Sequence, residues 1–269
     1  MDTDEIARRV LVQRTSRYTD AGPSLGAAGS ARFRIESGRV RVAYANPRPG
    51  MERELVAAVQ RFARMRRSEA QWTVVPQRAG EADLPAALLA AGFRVSEDLL
   101  LMAHAGRIPA AASLPAPVST PVAIGRITTW QQMWEYEYGS RQCFYDDPYP
   151  SHATVTQRAG ERWRELERGW CRYYGAWLNG RLVGGCYVSQ YEDVPTVMGV
   201  YTLPDARRKG IAGALVVRCV AETITPGNEE VCLFVEHGNP AENLYRGLGF
   251  VPLVDSRTYT WSPWERGAE

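Results

Sequence analysis

The chain has 269 residues, 45% of them hydrophobic and 23% charged. That balance lies far from the low-hydrophobicity, high-charge signature of disorder, and the length exceeds the usual single domain, so two folded domains are expected. Its 32 basic and 30 acidic residues leave a net charge of +2, which supplies no broad field for nucleic acid or anionic lipid and directs attention to small partners. Almost all the positive charge is arginine; Lys209 is the only lysine. The five cysteines, Cys143, Cys171, Cys186, Cys219 and Cys232, form no CxxC pair and no Cys/His cluster at metal spacing, which fits a reduced, cytoplasmic chain without a metal centre. The acidic start (Asp2, Asp4, Glu5) and the lack of any long apolar run give no sign of an export or membrane-anchoring segment.

From the N-terminus the hydrophobic pattern predicts a strand near Val40–Tyr44, a helix over about 51–66, a strand over 72–75, a short helix over 84–90 and a strand over about 93–104. Arg61, Arg64, Arg66 and Arg67 offer either a phosphate-binding patch or a solvated face. The apolar recurrence Leu55, Val59, Phe62 on the same helix favours the solvated face. Residues 106–121 read GRIPAAASLPAPVSTP, with prolines at 109, 115, 117 and 121. That composition resists both helix and sheet and marks a linker, the alternative being a loop within one domain. The expected division is thus 1–105, a linker at 106–122, and 123–269.

After the linker, two helices are predicted, over about 129–143 and 154–169. They are joined by the turn-rich loop Tyr145-Asp146-Asp147-Pro148-Tyr149-Pro150. Asn179-Gly180 between the apolar runs 174–178 and 182–188 predicts a hairpin, since both turn positions need positive φ. A strand over 196–203, a helix over 210–223, a strand over 231–236, a helix over 240–247 and two strands within 250–261 complete an α/β pattern.

The stretch VYTLPDARRKGIAG, Val200 to Gly213, carries the chemistry. A strand ends at Pro204, a basic loop follows and a helix opens, so backbone N–H groups and the positive helix end converge on one spot suited to a pyrophosphate. Gly210 admits an anion close to the backbone, Ala212 keeps the wall small, and Arg207, Arg208 and Lys209 add charge. Neither a P-loop nor a G-x-G-x-x-G is present. After the next strand comes NPAENLYRGLGF, in which Asn239 suits a helix N-cap, Pro240 the first turn and Gly249 the end.

These two stretches, in this order and spacing, resemble the [RQ]-x-x-G-x-[GA] acetyl-CoA signature and the N-x-x-A-x-x-L-Y-x-x-x-G-F motif of the GCN5-related N-acetyltransferase (GNAT) superfamily. The resemblance covers about 123–269 and implies a GNAT fold there, with acetyl-CoA as co-substrate, no metal, and acyl transfer to a small-molecule or peptide amine. It implies that backbone at Thr202 and Leu203 pairs with the pantetheine arm. The turn Arg207, Arg208, Lys209, Gly210, Ile211, Ala212 and Gly213 would then hold the pyrophosphate, and Asn239 would contact the cofactor arm. Tyr245 becomes the general acid that protonates the departing thiolate, the alternative being a packed core aromatic. For the general base, Glu236 is the first choice, followed by Glu192 and Asp193; each also reads as an ordinary solvated carboxylate. Tyr145, Asp146 and Asp147 are placed to line the acceptor pocket, or to serve only as turn residues.

The N-terminal half contains LPAALLAAGF, Leu84 to Phe93, whose Gly-Phe end aligns with Gly249-Phe250 and sets Leu88 in the place of Tyr245. Its upstream loop, Asn46-Pro47-Arg48-Pro49-Gly50-Met51, lacks Arg-x-x-Gly-x-Ala. This resembles a degenerate GNAT-like half in a tandem arrangement. The expected protein is an acetyltransferase. A catalytically silent acyl-CoA-binding sensor is the alternative, and the assembly state, a homodimer included, is open.

Overall fold

The computed structural model describes residues 6, 29–36, 39–75, 82–105, 122–145, 147–190, 194–226 and 229–264. The linker segment 106–121 and the candidate residues Asp146, Glu192 and Asp193 lie outside them. The chain forms two units. One comprises 2–101, 235–237 and 252–269 and is called here the N-terminal unit; the other comprises 102–234 and 238–251 and is called the C-terminal unit. The C-terminal residues from Pro252 onward therefore group with the N-terminal half.

In the N-terminal unit, strands β1 (Gly29–Glu36), β2 (Arg39–Pro47), β3 (Glu69–Val74) and β4 (Arg94–Ala105, to Leu101 in this unit) enclose helices α1 (Glu52–Met65) and α2 (Leu84–Ala90) in chain order. Strand β10 (Val251–Trp261) runs antiparallel to β3, from Arg257 opposite Val74 to Trp261 opposite Ala70. The two strands expected within 250–261 are therefore a single strand, since the alternating burial of Val254, Ser256 and Thr258 continues unbroken through Asp255. Helix α1 is the crossover that lets β2 and β3 run parallel. Its buried face is Leu55, Val56, Val59 and Ala63, packed with Trp72, Leu84, Leu88, Phe93 and Tyr259. Arg61, Arg64, Arg66 and Arg67 are all exposed, as a solvated face requires.

In the C-terminal unit the strand order is β9-β8-β7-β6-β5: β5 (Val122–Arg126), β6 (Cys171–Leu178), β7 (Arg181–Ser189), β8 (Thr196–Thr202) and β9 (Glu230–Glu236, to Phe234 in this unit). Helices α3 (Trp130–Phe144) and α4 (His152–Glu167) precede β6, α5 (Ile211–Thr223) follows β8, and α6 (Ala241–Gly247) follows β9. Thr129 and Gln132 close a reciprocal capping box on α3, and Ser151 accepts from the Thr154 N–H to start α4. The β6–β7 turn has Asn179 at φ 52° and Gly180 at φ 78°, the conformation that the Asn-Gly pair encodes.

Adjacent glycines on β7 show how the two faces are filled. A Cβ on Gly184 would meet Ile211 and Leu215 of α5, whereas one on Gly185 would meet the ring of Tyr136 of α3 at 2.5 Å. Since neighbouring strand residues point to opposite faces, α3 and α5 cover opposite sides of the sheet, and each approaches because a side chain is missing beneath it. Strands β1 and β5 have no counterpart in the sequence reading; β1 carries Arg32 and Arg34 amid its apolar positions, and β5 is only five residues long.

Gly185→Ala forces the Tyr136 ring to move and should destabilise the protein by about 1–3 kcal/mol, the usual cost of overpacking. Gly125→Ala meets Trp177 only at 3.9 Å and should leave the denaturant midpoint nearly unchanged. Equal midpoints for the two variants would contradict this packing.

Candidate active site

The site begins where β8 loses its neighbour. Strands β8 and β9 run parallel and pair at Thr196 with Cys232 and at Val197 with Leu233, and no further pair joins them among the described residues. On its other side β8 stays bound to β7, with a bulge: Gly185 faces Tyr201 and Tyr187 faces Met198, so Gly199 and Val200 stand against Cys186 alone. Gly199 accommodates the bulge at φ +60°. The Leu203 N–H donates to the Val183 carbonyl at 2.9 Å. Leu203 is therefore tied to β7, and the alternation of an antiparallel ladder turns the Thr202 amide and carbonyl to the side that β9 has left. Of the two expected contact residues on this strand, Thr202 has its backbone on the open side and Leu203 does not.

At the end of β8 a short 3₁₀ turn, Pro204–Ala206, leads into a left-handed stretch with Arg208 at φ 63° and Gly210 at φ 77°. The Ala214 N–H bonds the Gly210 carbonyl at 3.0 Å and begins the hydrogen-bond ladder of α5, which leaves the amides of Ile211, Ala212 and Gly213 without intrahelical acceptors. These donors and the positive helix end are the elements that an anion site at this turn would use. The cationic side chains do not simply extend from it. Arg207 Nε donates to the Thr202 carbonyl at 3.1 Å, and Lys209 Nζ to the Asp205 carbonyl at 3.3 Å. A hydrogen bond from Arg181 holds the Asp205 carboxyl below the usual carboxylate range, so the one acid in the turn is already paired with a cation.

Tyr245 projects from α6, and only 6% of it is exposed, with its ring set edge-on to Phe250 at 6.1 Å. Burial pushes its hydroxyl up to about 12, with a smaller push from Cys186. The phenol therefore keeps its proton at neutral pH and can act as a donor. Asn239 Oδ1 accepts from the Ala241 N–H at 2.9 Å, so its side chain starts α6 as a cap. Glu236 is exposed at the end of β9 and groups with the N-terminal unit. Tyr145 is exposed and lies under the Arg141 guanidinium at 4.8 Å, while Asp147 sits 3.8 Å from Arg141 Nε. His152 contacts Trp134, and His237 Nε2 pairs with Asp255 at 2.9 Å. A cavity of about 380 Å³ between α3 and the β6–β7 turn touches Leu203 but borders neither Tyr245 nor Gly210. The sequence reading passed over Tyr136, Tyr173 and Tyr187, which gather around Arg162 from one helix and two strands; no linear spacing links them.

The two units share a local signature. At the end of α6 the Phe250 N–H bonds the Tyr245 carbonyl and the Gly249 N–H bonds that of Arg246. At the end of α2 the Phe93 N–H bonds the Leu88 carbonyl and the Gly92 N–H bonds that of Leu89. Leu88 thus occupies the structural place of Tyr245. Ahead of α1, Gly50 also has positive φ, 78°, but its N–H donates to the Glu52 carboxylate at 3.2 Å. The helix's own acid sits where an anion would otherwise be held.

Residues 130–250 match the model of the acetyltransferase (GNAT) family. A GCN5-related N-acetyltransferase from Kribbella flavida shares the fold at a TM-score of 0.66 and 15% identity, over 99% of this chain and 98% of that one. A tandem GNAT protein from the clavulanic acid biosynthesis pathway gives 0.61 and 16%, over 98% and 97%, and a GCN5-related N-acetyltransferase from Sphaerobacter thermophilus 0.63 and 19%, over 87% and 76%. No curated protein matches the chain. The splayed strands, the glycine turn and the tyrosine helix thus lie in the stretch that matches the acetyltransferase (GNAT) family, and structures of GNAT proteins share the fold over nearly the whole length of the chain. Among the described residues no group of His, Cys, Asp and Glu able to hold a metal ion is present, and no helix is long and apolar enough to cross a membrane.

Burial raises Tyr245, Tyr136 and Tyr201 alike above the ordinary tyrosine value, near 10 in the unfolded chain. Raised folded values mean that the stabilisation is whole below about pH 10 and is lost as pH rises through the folded values. The melting temperature should therefore fall as pH rises above about 10, and Tyr245→Phe should show a shallower fall because one titrating phenol is gone.

Proposed function

We propose that the protein is an N-acetyltransferase that moves an acetyl group from acetyl-CoA to a primary amine by direct attack in a ternary complex. The observation that carries this reading is the conjunction, within one unit, of an unpaired β8 edge, the amide-lined turn at Gly210 and a protonated, buried Tyr245. Acetyl-CoA supplies an activated thioester. The Ile211–Gly213 amides hold the diphosphate with Arg207, Arg208 and Lys209 around it, and the Thr202 backbone takes the pantetheine arm as an added strand would. An amide of β8 donates to the thioester oxygen as charge develops there, and Tyr245 gives its proton to the leaving thiolate. The base that accepts the proton of the amine is assigned to Glu236, and acceptor contacts to Tyr145, Asp146 and Asp147; Asn239 borders the cofactor arm. The protein would work in the cytoplasm, with 123–269 as the catalytic part and 1–105 as a silent copy; Glu52 at the Gly50 turn and Leu88 in the place of Tyr245 support that silence. The exposed position of Glu236 favours a second reading, an acyl-CoA-binding sensor without turnover.

Thiol release from acetyl-CoA with a panel of amines separates the two readings: the enzyme releases coenzyme A with at least one amine, whereas the sensor binds it and releases none. Tyr245→Phe should lower turnover by about 10²- to 10⁴-fold, the range for a general acid, with coenzyme A affinity almost unaltered; near-normal turnover would remove Tyr245 from the mechanism. Gly210→Ala places an L-residue at positive φ, a cost of about 1–2 kcal/mol. It should weaken coenzyme A binding by about tenfold in calorimetry.

A further inference from the structure

One hydrogen bond stands across the edge that the cofactor arm would use. The Leu203 N–H and the Thr202 carbonyl belong to one planar trans peptide and point opposite ways. The Leu203 N–H is committed to Val183 of β7, so the Thr202 carbonyl faces the gap that β9 leaves. That carbonyl already has partners. The Arg207 side chain folds back to donate its Nε–H at 3.1 Å, and the half-buried Cys143 thiol, near the end of α3, donates at 3.7 Å. Burial raises the Cys143 thiol above its ordinary value, and the charge and hydrogen bond of Arg207 oppose that rise, so the guanidinium lies against both groups. The nearest acid in the chain, Asp205, is held by Arg181 at 2.9 Å. Among the described residues Arg207 is therefore held by a neutral carbonyl, while its guanidinium is exposed and belongs to the turn that opens α5. A diphosphate at the Ile211–Gly213 amides would offer the same guanidinium charged oxygens, which bind it more strongly and in pairs.

Resting on the coenzyme A reading above, we propose that Arg207 is a specificity-determining stopper: it closes the β8 edge of the free chain and leaves it only for a diphosphate, so the edge opens to thioesters carried on a nucleotide diphosphate and stays closed to the same thioester on pantetheine alone. Once Arg207 has moved to the diphosphate, an amide N–H of the pantetheine arm takes the Thr202 carbonyl in its place. The two ends of the ligand thereby assist one another, and the assistance is reciprocal, as linkage requires.

Calorimetry on the full chain tests this by comparing coenzyme A with pantetheine, which lacks the diphosphate and the nucleotide. Arg207→Ala should tighten pantetheine binding by about 10-fold, the scale of one hydrogen bond to a charged group, without tightening coenzyme A binding. A residue that only held the diphosphate or shaped the turn would give no such gain. On the wild-type chain, saturating adenosine 3′,5′-bisphosphate should draw Arg207 away and tighten pantetheine binding by a similar factor, an effect that Arg207→Ala removes. Should the variant not fold, the wild-type response to the bisphosphate decides. Failure of either effect to appear overturns the inference and leaves the coenzyme A site standing. Absence of coenzyme A binding to the wild-type chain overturns both.

Discussion

Backbone amides and carbonyls must find partners, and beyond Val197 strand β9 pairs with none of β8 among the described residues, the Thr202 carbonyl taking a bond from the Arg207 side chain instead. The sheet sets this up in two ways. The bulge at Gly199 lets β8 remain bound to β7 while changing direction, and the Val183–Leu203 bond fixes which backbone groups stay inside the sheet. What is left is a stretch of main chain with defined polarity, ending at the turn that opens α5. A ligand with amides along its length and a diphosphate at one end meets these requirements in order. The proposed role of the site therefore depends on a backbone gap, and side chains refine it.

That dependence explains what was legible in the sequence. The turn was readable because Gly210 and the Arg-x-x-Gly-x-Ala spacing leave a linear trace, and the Asn-Gly hairpin was readable for the same reason. Helix α6 was readable through its Pro-start and Gly-end. The tyrosine box around Arg162 was invisible, because its members come from α3, α4, β6 and β7 and meet only through packing. Strand β5 escaped notice because it is short and mixes polar and apolar residues. Strand β10, eleven residues long, exceeds the usual strand length, and the pattern of the sequence alone does not show that it is one run rather than two.

The comparison between the two units gives a physical account of how a copy of the motif can keep its shape and lose its chemistry. Both helix ends, at Gly92-Phe93 and Gly249-Phe250, close with the same hydrogen bonds. This closure needs glycine at positive φ and a hydrophobic residue after it, and it is indifferent to whether the preceding position is Leu88 or Tyr245. Shape is thus held by residues that chemistry does not require. At the other end of the motif, Glu52 answers the Gly50 amide from within the chain, while the turn at Gly210 has only cations beside it and its acid, Asp205, tied to Arg181.

The central claim is that the main chain of β8 and the Gly210 turn are the binding surface for coenzyme A. Amide hydrogen exchange on the full chain, with and without coenzyme A, tests it most directly. The account predicts protection gained at Thr202 and across 208–213, with the corresponding stretch before α1, 48–52, unchanged. Binding without added protection at those amides, or protection confined to 48–52, would contradict it.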